Sequence, residues 1–291
     1  MSDDGRQGLT IIAFIGSVFS PYYAHARRRA GRDGADPANH CAINVALYGA
    51  RGNRWSMTER GVSSLQAESN LLAVGPSALR WDGSGLRIDF DEVTMPVPRR
   101  IRGTVRLIPA AVGNTTFTLN ADGSHVWRPI APVARVEVRC DSPALEWDGV
   151  GYFDHNRGAA ALEDGFRDWT WARAPHGSGA VISYDGVLRD GTSFGLGLLV
   201  NQRGEATAFE LPPSHDCAKT FWRMPRHVRS EAIQRPVVLR SLEDAPFYAR
   251  SVVSVRMAGE SVIGVHETLS LDRFRMPIVQ AMLPFRMPRR G

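Results

Sequence analysis

Short runs of β-branched and aromatic residues alternate with polar turns along most of the chain. Five segments place Asp-Gly, or another polar turn with glycine, between two such runs: RWDGSGLRIDF (80–90), LNADGSHVW (119–127), LEWDGVGYF (145–153), ISYDGVLRDGTSF (182–194) and LVNQRGEATAFEL (199–211). Asp-Gly supplies the positive backbone angles that tight hairpins require. The pattern therefore predicts β-hairpins from about Trp81 almost to the end of the chain.

Helical periodicity is scarce. The best candidate, RWSMTERGVSSLQAES (54–69), is interrupted by Gly61 and predicts at most a short helix. The apolar segment LTIIAFIGSVF (9–19) suits a strand, and the Pro-Arg segments of FRMPIVQAMLPFRMPRRG (274–291) predict a tail on the surface. We predict an all-β chain of two tandem modules, residues 1–150 and 151–291, with few short helices. The glycine-flanked segment GVGYFDHNRGAAALEDG (149–165) marks the crossing between them.

Charge and cysteine content exclude several classes of protein. The net charge is +5, but Lys219 is the only lysine and the arginines are spread along the chain, which argues against nucleic acid as a partner. Cys41, Cys140 and Cys217 are odd in number and far apart, so they predict neither a disulfide framework nor a zinc site. The apolar segment 9–19 is too short to cross a bilayer and lacks the features of a signal peptide. We therefore expect an intracellular protein without a transmembrane segment.

The motifs of several common enzyme classes are missing. The chain contains no GxSxG, GxxxxGK[ST] or HExxH segment, and no GxGxxG that follows a strand and opens a helix. The histidines, among them His25 and His40, show no metal-ligand spacing. We expect no metal site.

Aromatic residues next to acids are the most distinctive chemical feature. In GVGYFDHNRG (149–158) a strand would turn Tyr152, Asp154 and Asn156 to one face, with His155 on the other. Asp154 is therefore either a turn-forming residue at a strand end or an acid held in an aromatic pocket. Trp169 and Trp171 share a strand face, whereas Asp185 precedes Gly186 at a predicted strand end, which suits a turn.

The chain resembles the carotenoid 1,2-hydratase family, also called hydroxyneurosporene synthases. The segments that carry the resemblance are LTIIAFIGSVFSPYY (9–23), GPSALRWDG (75–83), IDFDEVTMPVPRRIRG (88–103), WRPIAP (127–132), GYFDHN (151–156), VISYDG (181–186) and DAPFYARS (244–251). The resemblance implies tandem lipocalin-like β modules that bind an acyclic carotenoid. It also implies cofactor-independent addition of water to the terminal C1–C2 double bond, in the carotenoid biosynthesis of photosynthetic bacteria.

The family pattern assigns Asp154 as the proton donor, with Tyr152 and Trp127 as its aromatic partners. Tyr152 or Asn156, on the same predicted strand face, would stabilise the carboxylate as the proton leaves. Asp168 and Asp185 are the competing acids, and His155 has a structural role. The substrate-binding residues would be Trp169, Trp171, Tyr184, Phe247 and Tyr248.

Two other functions stay open at this point. One is a lipocalin-like cyclase or Diels–Alder enzyme acting on another polyene, and the other is a non-catalytic carrier of carotenoids or lipids. The segment FSPYYAHARRR (19–29), with rings before Arg27, Arg28 and Arg29, predicts peripheral contact with the cytoplasmic face of a membrane. No obligate protein partner is expected.

Overall fold

Strands dominate the computed structural model, which describes residues 1–31, 34–49 and 52–290. The elements up to residue 158 are β1 (Gly8–Ile15), α1 (Pro21–Ala30), β2 (Cys41–Tyr48), β3 (Arg54–Arg60), β4 (Leu65–Glu68), β5 (Leu71–Val74), β6 (Ser77–Trp81), β7 (Leu86–Val93), β8 (Arg100–Pro109), β9 (Phe117–Thr118), β10 (His125–Ser142) and β11 (Ala144–Gly158). The later elements are α2 (Leu162–Gly165), β12 (Phe166–His176), β13 (Gly179–Leu188), β14 (Ser193–Val200), β15 (Ala206–Ala208), β16 (Ser214–Cys217), β17 (Arg226–Arg229), β18 (Val237–Asp244), β19 (Tyr248–Met257), β20 (Glu260–Ser270), α3 (Leu271–Phe274), α4 (Pro277–Arg286) and β21 (Arg289–Arg290). The prediction of an all-β chain with few short helices is confirmed.

The chain divides into two compact units. The first comprises Met1–Pro109, Ala134–Gly151 and Gln280–Gly291, and the second comprises Ala110–Val133 and Tyr152–Val279. Strands β10 and β11 therefore contribute residues to both units. The boundary between residues 150 and 151 stays a prediction, because compactness alone does not show which segments fold independently.

The first unit contains an antiparallel sheet with the order β10-β8-β7-β6-β5-β4, with β11 beside β10. A smaller sheet has the order β1-β2-β3-β21, in which β21 runs parallel to β3. Strand β2, CAINVALY, is buried along its whole length and is apolar or aromatic except for Asn44, whose side-chain amide donates to the carbonyl oxygen of Ser56 at 2.8 Å.

The second unit is built on an antiparallel sheet with the order β15-β14-β13-β12-β20-β19-β18. The hairpin β16–β17 contributes Val228 to a core on one face of this sheet, where the other members are Ala174, Val181, Val253, Val255, Met257 and Val262. The opposite face carries the aromatic side chains of β12, β13 and β14, because side chains alternate along each strand.

Two of the predicted Asp-Gly turns are wrong. Asp148-Gly149 lies within β11, where Gly149 forms a bridge with Ser2 and a Cβ atom would meet the carbonyl oxygen of Met1 at 2.0 Å. Asp185-Gly186 lies within β13, and the hairpin turn falls at residues 189–192 instead. At both positions the absence of a side chain lets neighbouring chain segments pack closely, and neither glycine forms a turn.

The sequence predicts at most a short helix in the segment 54–69, and this segment forms strand β3, a single 3₁₀ turn at Val62–Ser64 and strand β4. Two other sequence-based expectations need correction. The C-terminal segment does not merely lie on the surface: it forms α4 and β21, and Val279, Leu283 and Met287 are buried. Helix α1, which no periodicity predicted, begins after Ser20, whose hydroxyl accepts the Tyr23 N–H at 2.9 Å.

A buried ion pair in the first unit generates a stability prediction. The Arg60 guanidinium donates to both carboxylate oxygens of Glu92, at 3.2 and 2.8 Å, and the Glu92 side chain is fully buried. Burial raises the pKa of Glu92. Replacing Arg60 with Met leaves that carboxylate without its counter-charge, so we expect urea unfolding to show a loss of about 3–5 kcal/mol.

The exposed pair Arg87–Asp89 provides the matched control. Its side chains are 58% and 40% exposed, so Arg87→Met should cost less than about 1 kcal/mol. Equal losses in the two variants would show that burial of the Arg60–Glu92 pair does not set its contribution.

Candidate active site

One oxygen of Asp154 accepts two hydrogen bonds. Trp127 donates its indole N–H to Oδ2 at 2.7 Å, and Tyr152 donates its hydroxyl to the same oxygen at 3.0 Å. Strand alternation turns Tyr152 and Asp154 to one face of β11, while β10 supplies Trp127. Among the described residues, no further side chain donates a hydrogen bond to this carboxyl group. The structure therefore leaves Oδ1 without a side-chain donor, beside two such donors on Oδ2.

A group of packed rings surrounds this acid. Trp127 is fully buried and meets Tyr184 edge to face, with 5.4 Å between ring centroids. Tyr152 lies against Trp171 at 5.0 Å, and Trp169 lies against Tyr184 at 6.0 Å. Aromatic packing of this kind holds each ring in one orientation. The structure thus brings together six of the eight predicted site residues.

Cross-strand register explains why these rings meet. Trp171 of β12 pairs with Tyr184 of β13, and Trp169 pairs with Gly186. Gly186 pairs in turn with Phe194 of β14. A Cβ atom on Gly186 would lie 2.9 Å from both the Phe194 ring and the Trp169 side chain, so the glycine makes room for the aromatic residues beside it.

Burial makes the Asp154 carboxyl a weaker acid than an exposed aspartate. The pKa of Asp154 is raised from 3.8 to about 6 as the net result of several causes: removal from solvent raises it most, the hydrogen bonds from Trp127 and Tyr152 lower it, and the negative charge of Glu267 raises it. The carboxyl group can therefore be protonated near neutral pH, and the two donors are already in position to stabilise the carboxylate once the proton leaves.

Charged side chains on the same sheet face were not found from the sequence. Glu267 of β20 pairs across the sheet with Trp171, and Arg250 of β19 pairs with Glu267. Arg173 is buried two positions after Trp171, where it donates to the carbonyl oxygen of Pro132 at 3.0 Å. The only signal for Glu267 was an acid between the apolar residues at 265 and 269 on one face of the predicted strand.

His125 is a further residue that the sequence analysis left out. It lies two positions before Trp127 on the same strand face, and its ring meets Phe166 at 4.9 Å. The side chain is 2% exposed, and burial lowers its pKa. His125 is thus a neutral imidazole at neutral pH. The sequence signal that could have pointed to His125 was its position two residues before Trp127, which puts both side chains on one strand face.

The two remaining predicted binding residues, Phe247 and Tyr248, differ in position. Phe247 packs on Phe274 of α3 at 5.2 Å, outside the group of rings around Asp154. Tyr248 faces the same way as Trp169, since both pair with Leu269, and the Arg250 guanidinium lies 5.4 Å from its ring.

The competing acids and the flanking polar residues also lie outside the ring group. Asp185 forms an ion pair with Arg229 at 2.9 Å on the opposite sheet face, so it is not the predicted turn residue. Asp168, His155 and Asn156 are exposed. Of the two carboxylate partners proposed from the sequence, the structure supplies Tyr152 and not Asn156.

In the described part of the chain, no three His, Cys, Asp or Glu side chains converge as ligands of a metal ion would. The polar groups around Asp154 are donors to a carboxylate, and the remaining walls are aromatic. This arrangement fits proton transfer to an apolar molecule.

Comparison with known proteins identifies close relatives. The sequence model of the carotenoid hydratase CrtC family matches residues 11–291. The acyclic carotenoid 1,2-hydratase of Thiocapsa roseopersicina is 54% identical over 292 residues, which cover 100% of this chain and 71% of the relative. The protein of the same name from Rubrivivax gelatinosus is 46% identical and is matched over 100% of this chain and 72% of its own length.

A solved structure shows the same fold. It is an AttH protein from Nitrosomonas europaea, with a TM-score of 0.58 and 12% identity, and the match covers 92% of this chain and 88% of that chain. The similarity confirms the lipocalin-like β fold that the sequence predicted.

The two hydrogen bonds to Asp154 generate a prediction about its acidity. Trp127→Phe removes the indole donor and keeps a ring, so the carboxylate loses stabilisation and the pKa of Asp154 should rise above about 6. A hydrogen bond to a charged group contributes about 1.5–3 kcal/mol, which corresponds to about one to two pKa units. Titration of the ¹³C-labelled aspartate carboxyl by NMR would measure the change.

Trp171→Phe is the matched control, because its buried indole N–H has no acceptor among the described residues. That variant should leave the pKa of Asp154 unchanged. An unchanged pKa in Trp127→Phe, or equal shifts in both variants, would contradict the assignment of the indole as a donor.

Proposed function

The chain belongs to the carotenoid hydratase family CrtC, and we propose that Asp154 is the acid with which it hydrates the terminal C1–C2 double bond of an acyclic carotenoid. The enzyme is a hydro-lyase, as its named relatives are. The single observation that supports the role of Asp154 is a carboxyl with a pKa of about 6 that accepts two hydrogen bonds on one oxygen inside an aromatic enclosure.

Protonation of C2 is the first step. Oδ1 carries the acidic proton, because Oδ2 is occupied by the bonds from Trp127 and Tyr152. When the proton moves to C2, those donors face a full negative charge and their hydrogen bonds strengthen. The interaction is therefore stronger in the transition state than before it, which is the condition for catalysis. Trp127 thus acts through its N–H group, and not chiefly through its ring.

The second step is capture of the cation by water. Protonation at C2 leaves a tertiary cation at C1, and the rings of Trp169, Trp171 and Tyr184 are the groups that bind and stabilise it. Cation–π attraction is worth about 2 kcal/mol or more in a desolvated site. Phe247 and Tyr248 would contact more distant parts of the polyene.

Asp154→Asn tests the acid. The amide oxygen can still accept from Trp127 and Tyr152, but the side chain cannot supply the proton, so hydration should fall by about 10²–10⁴-fold. In heavy water the wild-type product should carry deuterium on C2 and a hydroxyl on C1, measured by mass spectrometry and NMR. The rate of the wild-type enzyme should fall about tenfold per pH unit above about pH 6, since only protonated Asp154 donates.

Stability provides the control for folding. The folded-state pKa of Asp154 lies above the ordinary 3.8, so this residue destabilises the fold as pH rises from about 4 through 6. The asparagine variant should therefore melt no lower than the wild type at pH 7.5. A variant that still hydrates, or a wild-type product with the hydroxyl on C2, would refute the role of Asp154. Stoichiometric pigment binding without product would favour the carrier, and an isomeric cyclic product the cyclase.

Contact with a membrane surface is the second part of the proposal, because the substrate is a lipid. No helix among the described residues is long and apolar enough to cross a bilayer. The segment predicted as an aromatic loop is helix α1, in which Tyr23 packs on His40 at 4.7 Å. Arg28 and Arg29 of this helix are exposed, whereas Tyr22 and Tyr23 are half-buried. We assign α1 an electrostatic contact with the cytoplasmic face of an anionic membrane.

Exposed rings are found in the second unit. Phe221 and Trp222 are 88% and 41% exposed, next to the exposed cations Lys219 and Arg223. The Asp244 carboxylate accepts both of their backbone N–H groups, at 2.6 and 3.4 Å, so the two rings are displayed on a well-ordered turn. Apolar rings between cations suit an anionic membrane interface.

Sedimentation with anionic and zwitterionic vesicles separates the electrostatic contribution of the α1 arginines from the apolar contribution of Phe221 and Trp222. Changing Arg27, Arg28 and Arg29 to Ser should weaken anionic binding by about 100-fold at low salt, from about 1 kcal/mol per residue. Phe221→Ser with Trp222→Ser should weaken binding to both kinds of vesicle. Ile233→Ser, at a residue that is 79% exposed, is the control and should change nothing. Unchanged binding in both multiple variants would remove the membrane proposal and leave the hydratase intact.

A further inference from the structure

A second carboxylate, Glu267, lies next to the group of rings around Asp154. Glu267 pairs across the sheet with Trp171, whose ring lies 5.0 Å from that of Tyr152, and the Tyr152 hydroxyl bonds to Asp154 at 3.0 Å. The negative charge of Glu267 acts on two groups of this cluster, since it raises the pKa of Asp154 and that of Tyr184. Two carboxyl groups therefore face one set of rings.

The hydrogen bonds of Glu267 leave one oxygen available. Arg250, whose side chain is 4% exposed, approaches Oε1 through Nε and Nη2, at 2.8 Å each. None of the described residues donates to Oε2. The Glu267 side chain is 22% exposed, so water can reach it. Glu267 is thus a carboxylate anchored on one side by a buried guanidinium and accessible to water on the other.

The proposed reaction leaves a role for such a group. After Asp154 has given up its proton, a water molecule must attack C1 and lose a proton in a pocket walled by rings. Acids and bases with opposite protonation states in one site are the usual solution to this requirement.

Building on the proposed function, we infer that Glu267 positions the attacking water and accepts its proton, with Arg250 as the residue that holds the carboxylate in place. The water oxygen forms the new bond to C1, and one of its protons moves to Oε2 of Glu267. The new C2–H bond was already formed in the first step, with the proton of Asp154. Glu267 then releases a proton to solvent and Asp154 regains one, so the cycle closes with net addition of one water.

The test separates protonation from water capture in Glu267→Gln. In heavy water, Asp154 delivers deuterium to C2, and loss of the original C2 hydrogen from the cation then gives labelled carotenoid, whereas capture by water gives the alcohol. We expect the variant to lose hydration by about 10²-fold while deuterium exchange into recovered substrate persists. Asp154→Asn should lose both. Glu243→Gln, which changes the other acid near Arg250 at 3.6 Å, is the matched control and should keep hydration near the wild-type rate.

Each outcome bears on the inference. Hydration at the wild-type rate in Glu267→Gln would overturn it and leave solvent or the Asp154 carboxylate as the proton acceptor. Loss of exchange together with hydration, in a variant with wild-type melting temperature, would assign Glu267 to the protonation step and also overturn it. If the glutamine variant does not fold, Glu267→Asp replaces it, and hydration must again fall more than exchange. Absence of both reactions in the wild type would instead refute the proposed function.

Discussion

The structure of the site depends on the two hydrogen bonds that meet on Oδ2 of Asp154. A buried carboxyl without donors would hold its proton too firmly to act as an acid, and one with many donors would be ionised at all relevant pH values. Trp127 and Tyr152 set a balance between these limits, which gives a pKa of about 6. Both donors belong to rings, so they stabilise the carboxylate without admitting water.

The sheet of the second unit makes this arrangement rigid. Its antiparallel register brings the rings of β12, β13 and β14 and the charged residues of β19 and β20 to one face. A shift of one residue in any of these pairings would turn the rings to the opposite face, where the hairpin β16–β17 packs. The apolar core on that face therefore specifies the register on which the acid site relies.

Each face of this sheet carries an ion pair. Arg250 and Glu267 are paired within the aromatic face, and Asp185 and Arg229 are paired on the other. A buried unpaired charge would be costly at either place. Asp154 is different, because its side-chain hydrogen-bond partners are the Trp127 and Tyr152 ring donors instead of a cation, and this leaves it able to carry a proton.

Local patterns in the sequence determined the fold class, most of the hairpins and the shared face of Tyr152 and Asp154, because strand propensity, turn chemistry and alternation act over a few residues. They misplaced Asp148-Gly149 and Asp185-Gly186, where the glycines allow close approach of segments distant in the chain. Only the tertiary structure decided that Trp127 donates its N–H group to Asp154 and that Glu267 lies opposite Trp171. These contacts join residues that are far apart in the chain. Local patterns do not predict such contacts, because the register across a sheet is set by the packing of whole faces.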